Sequence, residues 1–466
     1  MKKNLLLASM LMAGATMFAA VDPATYSPME GYTLTNLWQN CAANNGSEWS
    51  GLVGSTIVSE NYIPTAVALG DKIYVGSAKD NVILEDGTSG MGDLGCLHVF
   101  NFNTGAYEKT IALTKEDGTR ISGLLCVNTI DVDNFGNLFV AGYRASMWNA
   151  DTNEPNPIEV YKVNPENGAC TLVASLAFTS DDSANSGRVD YIDVVGDITR
   201  ENARCVVMCA VSAGSEKIIC GWEAEQGATT ADAFTGHLVG GEYITLGVEE
   251  SYPESGNFTY STSTYILSDD EFSGELFYVD DFATKPALYN TEGTMLASFR
   301  DVVEADPENP VLQPTAQPNG VAEFTIGDDS FITYPRKDYG DGHPAIIAKY
   351  GTAGDLSTLT PMWNYPEGGM GAIPGGSRRY HVLQPIPTQD AAGKQGCYIL
   401  NYMSGNGLAL YLMAEEGFNA GVNDVVVAPD ENAPVEYFNL QGIRVANPEN
   451  GVFIRRQGAT ATKVVL

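Results

Sequence analysis

Short runs of β-branched and aromatic residues alternate along this chain with turns rich in Gly, Asn and Asp. Apolar positions recur with a period of two or as brief continuous stretches, and helical spacing is almost absent, so the pattern predicts an all-β protein. A polar or Gly turn followed by a buried strand recurs at Gly70 to Val75, Gly136 to Val140, Asn202 to Met208, Gly274 to Val279, Gly327 to Thr333 and Gly396 to Leu400. The starts lie roughly 50 to 70 residues apart, the scale of a large propeller blade. A second landmark, a strand ending in a polar turn, keeps the same step at Phe102 to Gly105, Val163 to Gly168, Tyr289 to Gly293 and Tyr350-Gly351, and is blurred in the third unit around Trp222 to Gly227.

Two periodic markers in step predict about six blades. The sixth unit supplies strands near His381 to Pro385, Gly396 to Tyr402 and Leu408 to Met413, with no fourth strand after them. Thr33-Leu34-Thr35-Asn36-Leu37-Trp38, early in the chain, repeats the pattern of Thr358-Leu359-Thr360-Pro361-Met362-Trp363 in the fifth unit. The expectation is therefore a propeller over residues 31–420, closed by an N-terminal strand that completes the last blade.

The stretch Asp131-Val132-Asp133-Asn134-Phe135-Gly136-Asn137 leading into Leu138-Phe139-Val140 resembles the Asp-x-x-Gly-Asn phrase of NHL and related (NHL-like or PQQ-like) propeller families, a likeness that speaks to fold. A calcium loop of EF-hand type would want an oxygen ligand where Phe135 stands, so the stretch reads as a type I turn.

The two ends differ from the body. Lys2 and Lys3 precede an apolar run from Leu5 to Ala20, closed by Asp22-Pro23, which reads as a signal peptide over residues 1–20. With no later run of that kind, no transmembrane segment is expected in the mature protein. Residues 421–466 read as an acidic, Pro-containing linker and a small C-terminal β segment, in which turns at Asn439 to Gly442 and Asn447 to Gly451 would join three short antiparallel strands. Glu436-Tyr437-Phe438-Asn439-Leu440-Gln441-Gly442-Ile443-Arg444-Val445, with Gly451-Val452-Phe453-Ile454-Arg455-Arg456, is similar to the C-terminal sorting domain of type IX secretion on exported Bacteroidetes proteins. The resemblance implies recognition by the export machinery and a destination at the cell surface or outside the cell, with the periplasm as the alternative. A passive cap on the propeller is the plainer reading of the same segment.

Charge narrows the partners. The 25 Lys and Arg against 58 Asp and Glu give a net charge of −33, which repels nucleic acid and anionic lipid. Of the 8 Cys, Cys126, Cys205, Cys209, Cys220 and Cys397 fall in apolar runs and read as core residues, with one incidental disulfide allowed. No Cys-x-x-Cys pair and only 4 His leave no support for a metal, and no cofactor motif occurs.

Loops joining inner to middle strands, and blade to blade, are expected to converge at one mouth of the channel, where propellers bind ligands. The candidates there are Tyr143, Arg144 and Trp148 in the second unit, Asp280 and Asp281 in the fourth, Arg336, Lys337, Asp338, Tyr339, Asp341 and His343 in the fifth, and Arg378, Arg379, Tyr380 and His381 entering the sixth. Guanidinium forks pair with oxyanions and aromatic faces stack on sugars, so Tyr143, Arg144, Trp148, Arg336, Tyr339, His343, Arg378, Tyr380 and His381 are the ligand-binding set. His98, inside Leu97-His98-Val99-Phe100, reads as a packed histidine. The leading expectation is a non-catalytic surface or secreted module for a glycan, peptide or protein. The alternatives are a polysaccharide lyase or hydrolase using Arg336, His343, Tyr380 and His381, and a structural envelope protein.

Overall fold

The computed structural model describes residues 28–41, 65–78, 80–83, 89–92, 94–123, 126–144, 146–149, 151–152, 154–177, 188–213, 216–236, 244–246, 263–280, 286–299, 301–302, 320–335, 345–366, 369–370, 381–403, 407–419, 435–438, 445, 452–457 and 460–465. They form two compact units.

The first unit is a six-bladed β-propeller. Written from the innermost strand outward, the first blade is Ala66–Leu69, Lys72–Ser77, Cys96–Asn101 and Tyr107–Ala112. The second is Thr129–Val132, Leu138–Ala141, Ile158–Val163 and Ala169–Leu176, with Thr114–Lys115 added in parallel at its outer edge. The third is Asp193–Gly196, Cys205–Ala213 and Glu216–Ala224, edged by Thr235–Gly236 and Ile244–Leu246. The fourth is Ser263–Ile266, Leu276–Asp280, Ala287–Asn290 and Met295–Ser298, and the fifth Ala322–Ile326, Asp329–Pro335, Ala345–Lys349 and Thr360–Tyr365. All six repeated turn-and-strand units prove to be the second strand of a blade, and the second landmark is the turn between third and fourth strands. The blurred third unit has its reason here. Two short segments share the outer edge of Glu216–Ala224 where other blades have one fourth strand.

The sixth blade is His381–Gln389, Gln395–Met403, Gly407–Glu415 and, as its outermost strand, Tyr32–Cys41. Tyr32 lies opposite Glu415 and Leu34 opposite Met413, with a register shift between Asn36 and Trp38. The alternation of that strand buries Leu34, Asn36, Trp38 and Asn40. Beyond its own blade, the Trp38 indole N–H donates to the Phe102 carbonyl at 2.8 Å and Asn40 Nδ2 to the Gly105 carbonyl at 2.9 Å, both in the first blade. Gly105 is required there, because at φ +67° an added Cβ would lie 2.4 Å from the indole. Each neighbouring pair of blades shares one apolar cluster, the sixth and first through Trp38, Leu400, Tyr402 and Leu408 against Ala66, Ile73, Val75 and Phe100. The ring is thereby continuous.

Antiparallel pairing fixes which connections share an end, and it corrects one expectation. Turns from innermost to second strand, such as Gly70-Asp71 and residues 133–137, lie at one end of the channel. Connections from second to third strand, and from blade to blade, lie at the other. Of the candidate residues, the described ones, Tyr143, Arg144, Trp148, Asp280 and His381, lie at this second end. The expected turn at Asp131 to Val140 is present. Asp133 Oδ1 accepts the Phe135 and Asn137 amides at 2.9 Å each, while Oδ2 accepts the Ile198 amide at 2.7 Å, so this carboxylate is spent on the backbone.

None of the eight cysteines is joined in a disulfide; seven are buried and Cys126 is half-buried. His98 is packed, its Nδ1 2.8 Å from Thr110 Oγ1. Among the described residues, no helix is long and apolar enough to cross a membrane. Residues 1–20 and the linker at 420–434 fall outside the described set.

The second unit comprises Gln389–Gln395 and Gly417–Leu466. Its three-stranded antiparallel sheet runs Val435–Phe438, Val452–Gln457, Thr460–Val465. The expected turns at Asn439 to Gly442 and Asn447 to Gly451 fall outside the described residues; between them the Val445 amide donates to the Tyr437 carbonyl at 2.7 Å, and the third strand is the return of a hairpin after Gln457. Val452–Gln457 pairs on both sides and Thr460–Val465 ends in Lys463-Val464-Val465, so the β-branched residues there complete the sheet.

Candidate functional site

Innermost strands of a propeller face the channel with every second residue, and here that face is polar. Five junctions between neighbouring blades are tied by a side chain reaching the next backbone. Thr65 Oγ1 accepts the Ile130 amide at 2.8 Å, Thr129 Oγ1 the Ile192 amide at 3.2 Å, and the Asp193 carboxylate the Ile266 amide. The Tyr265 hydroxyl meets the backbone of Glu323, and Gln384 brackets Ala68, accepting its amide at 2.6 Å and donating to its carbonyl at 3.2 Å. These bonds hold the innermost strands around a cavity of about 310 Å³, the lower end of the range of roughly 300–1,000 Å³ usual for small-molecule sites.

Strands from the whole ring contribute to its wall. Asp131 comes from the second blade, Tyr191 and Asp193 from the third, Ser263, Tyr265, Tyr278 and Asp280 from the fourth, Gly320 from the entry to the fifth, and His381 from the sixth. Asp131 Oδ1 accepts the Val132 amide at 2.7 Å and Oδ2 the Tyr191 hydroxyl at 3.1 Å. Burial far from bulk water pushes its carboxyl up to about 6, the two hydrogen bonds opposing the rise and the charge of Asp133 adding to it. Part of Asp131 remains open to the cavity, so its desolvation reflects depth in the ring. Asp193 accepts the amides of Val194, at 2.9 Å, and of Ile266. Burial and the neighbouring Asp131 charge nonetheless carry its carboxyl well above the usual range. Two acids in one dry space resist ionising together.

The remaining wall is braced from behind. Asp280 accepts the Ser263 hydroxyl and, at 3.1 Å, the Gly320 amide. Gly320 has φ +145°, and an added Cβ would lie 2.3 Å from the His381 carbonyl oxygen, so no side chain fits at this crossing of blades. Tyr278 and Tyr350 share Glu323 Oε1, at 2.8 and 2.6 Å. Burial raises the phenols of Tyr191, Tyr265 and Tyr278, which stay protonated.

Of the residues singled out from sequence, His381 and Asp280 line the cavity. His381 is buried, its Nε2 2.6 Å from Asn401 Oδ1, and burial lowers its imidazole to about 4 despite that bond, so the ring is neutral at pH 7. Tyr143 and Arg144 lie apart from the wall, and each has a structural partner. The Arg188 guanidinium sits 4.9 Å from the Tyr143 ring centre, and Arg144 donates to the carbonyls of Pro157, at 2.8 Å, and Tyr143, at 3.2 Å. Arg144 also pairs through its backbone with Val189, at 3.2 and 2.9 Å, which makes it a staple between the second and third blades. Trp148 lies in the short strand Trp148–Asn149, with its side chain outside the described set. Arg336, Lys337, Asp338, Tyr339, Asp341, His343, Arg378, Arg379, Tyr380 and Asp281 also fall outside the described residues.

Sequence reasoning passed over Asp131, Tyr191, Asp193 and Tyr265. The available signal was Ile130-Asp131-Val132 matched by Ile192-Asp193-Val194, each an acid set inside an apolar strand run. A carboxylate in such a run has no solvated face to occupy, unlike the many acids in turns.

No protein-family model matches the chain, and no curated protein matches it. Among solved structures it is similar to a DUF4623 family protein from Bacteroides eggerthii, at 11% identity and a TM-score of 0.50, covering 85% of this chain and 76% of that one. An α-L-arabinofuranosidase from Lactobacillus brevis matches at 10% identity and a TM-score of 0.34, over 70% and 96% of the two chains. An exo-β-1,3-galactanase from Phanerochaete chrysosporium matches at 11% and 0.34, over 65% and 62%. At 11% identity the likeness to the DUF4623 family protein is one of fold.

Proposed function

We propose that this protein is an exported, non-catalytic binding propeller that takes one sugar unit of a glycan into its central cavity. The observation that carries this reading is the cavity wall, where phenol rings of Tyr191 and Tyr265 stand beside the carboxylates of Asp131 and Asp193. Ring faces cover the apolar face of a sugar and fixed carboxylates accept its hydroxyls, while a space near 310 Å³ suits a single ring. Binding is favoured over turnover because the acids are held: Asp131 and Asp193 each have both oxygens engaged with groups of the protein's own. Export is supported by the basic and apolar N-terminus and by the tail's likeness to a sorting segment, and a cell-surface or extracellular location follows.

Titration calorimetry against a panel of monosaccharides and oligosaccharides tests the reading. A binder should appear whose affinity falls at least tenfold in Tyr191→Ala, and equal affinity in that variant refutes the assignment of the cavity. A second reading, glycoside hydrolysis, is favoured by one observation: Asp131, raised to about 6, lies beside Asp193, and an acid paired with a second carboxylate is what that reaction uses. New reducing ends from a polysaccharide, lost in Asp131→Asn, would establish hydrolysis in place of simple binding.

A further inference from the structure

Turns from innermost to second strand differ in length around the ring. In the first and fifth blades only Gly70-Asp71 and Gly327-Asp328 stand between the paired strands. The second, third and fourth blades carry longer ones, residues 133–137, 197–204 and 267–275, so the wall extends further on this side of the channel end. The two flanking turns are set in the same way by one carboxylate each. Asp133 Oδ1 accepts the amides two and four residues on, and Asp269 Oδ1 accepts those of Glu271, at 2.9 Å, and Ser273, at 3.0 Å. That hold keeps Phe272 at φ +52°, a left-handed backbone that a bulky residue rarely adopts.

The turns of the second and fourth blades meet although the third blade lies between them. Asn134 Nδ2 donates to Ser268 Oγ at 3.2 Å, and Asn134 Oδ1 accepts the amide of Gly196, the last residue of the third blade's innermost strand, at 2.8 Å. The rings of Phe135 and Phe272 meet edge to face alongside, 5.7 Å between centres. Phe272 is half-buried and packs on the apolar cluster shared by the third and fourth blades. Phe135 is 43% exposed, the only exposed aromatic ring among the described residues. A lone apolar side chain on a surface calls for no explanation. Two rings brought together from blades that are not neighbours, one backing the other, are a built feature.

This rim adjoins the cavity, whose wall runs from Gly320 and His381 at the blade-to-blade end to Asn134 and Ser268 at this one. Phe135 is the next residue after Asn134. Resting on the sugar-binding reading above, we infer that the rim is a second sugar subsite, where the unit linked to the one in the cavity stacks on Phe135. The protein then recognises a glycan by at least two joined units. The open ring covers the apolar face of the second unit, and the Ser268 hydroxyl, which accepts from Asn134, keeps its own proton to donate. Both turns are fixed before the ligand arrives, so little freedom is lost on binding. A glycosidic bond makes the second contact follow from the first, which raises affinity with no change in the cavity.

The test is titration calorimetry on the full chain with D-glucose, D-galactose, D-mannose and D-xylose, and with the disaccharides cellobiose, galactobiose, mannobiose and xylobiose. At least one disaccharide should bind about tenfold more tightly than its monosaccharide, or better. Phe135→Ala should remove that gain and leave the monosaccharide's affinity unchanged, while Phe135→Trp should keep it. The comparison of one unit with two needs no variant, so it stands even if Phe135→Ala misfolds. Disaccharides that bind no more tightly than monosaccharides, or a gain that persists in folded Phe135→Ala, overturn the second subsite, and monosaccharide binding lost in Tyr191→Ala then leaves the cavity reading standing. Disaccharide binding lost in Phe135→Ala but equal in Tyr191→Ala keeps a sugar site at the rim and overturns the cavity reading. Silence from every sugar overturns both.

Discussion

Replacing Asp131 by Asn should make the protein more stable at neutral pH. In the folded chain the Asp131 carboxyl is raised from 3.8 to about 6 by burial. Among the described residues, the charged and titratable groups around it are Asp133 beyond its own strand, Tyr191 and Asp193 from the third blade, and Tyr265 from the fourth. A folded-state value above the unfolded one means the native form holds its proton longer. Stability from this group is then fully present below about pH 4 and is lost as pH rises through about 6. The gap amounts to about 3 kcal/mol at pH 7.5. Asparagine never ionises, so it escapes that loss, though it returns about 1 kcal/mol by fitting the Val132 amide and Tyr191 hydroxyl less well. A net gain of about 2 kcal/mol is expected at pH 7.5, shrinking to zero or below at pH 4. Urea unfolding followed by circular dichroism at both pH values measures it. An Asp131→Asn protein that is less stable by the same margin at pH 7.5 and at pH 4 would refute the claim that this carboxylate is an uncompensated charge.

Three further outcomes follow from the ring and its cavity. Trp38→Ala empties a fully packed site and abandons the bond to Phe102, so urea denaturation should show a loss of about 3–5 kcal/mol, with Trp38→Phe losing about 1 kcal/mol. Gly105→Ala forces a Cβ into that indole at a left-handed φ and should cost at least about 2 kcal/mol, read as a lowered midpoint at unchanged slope. His381, lowered to about 4, should show the chemical shifts of a neutral imidazole in nitrogen NMR from pH 8 down to pH 5, and should begin to titrate only near pH 4.

The ring's architecture was readable from the chain because each blade repeats a local instruction. A turn residue such as Gly136 or Gly274 precedes an apolar run, and a strand such as Tyr32–Cys41 must alternate to bury one face. The cavity resisted the same approach because its residues meet only after the ring closes. Asp131, Asp193 and Ser263 stand some 60 to 70 positions apart, and in a chain with 58 acids no single Asp stands out. Arg144 shows the opposite error: a cation in a poorly cationic chain looked available, yet its guanidinium is committed to carbonyls of its own blade. His381 was named for its position near the channel and does line it, but as a neutral, buried ring and not as a free acid or base.

The join between Tyr32–Cys41 and Gly407–Glu415 brings together residues such as Asn36 and Tyr411, 375 positions apart. A polypeptide emerging N-terminus first therefore holds its earliest strand idle until almost everything else has arrived. Until then Gly407–Glu415 lacks its outer neighbour, and the sixth blade presents that strand's unpaired backbone. Such long-range pairing is slow to form, which leaves a window in which the unfinished chain is still thin enough to thread through a pore.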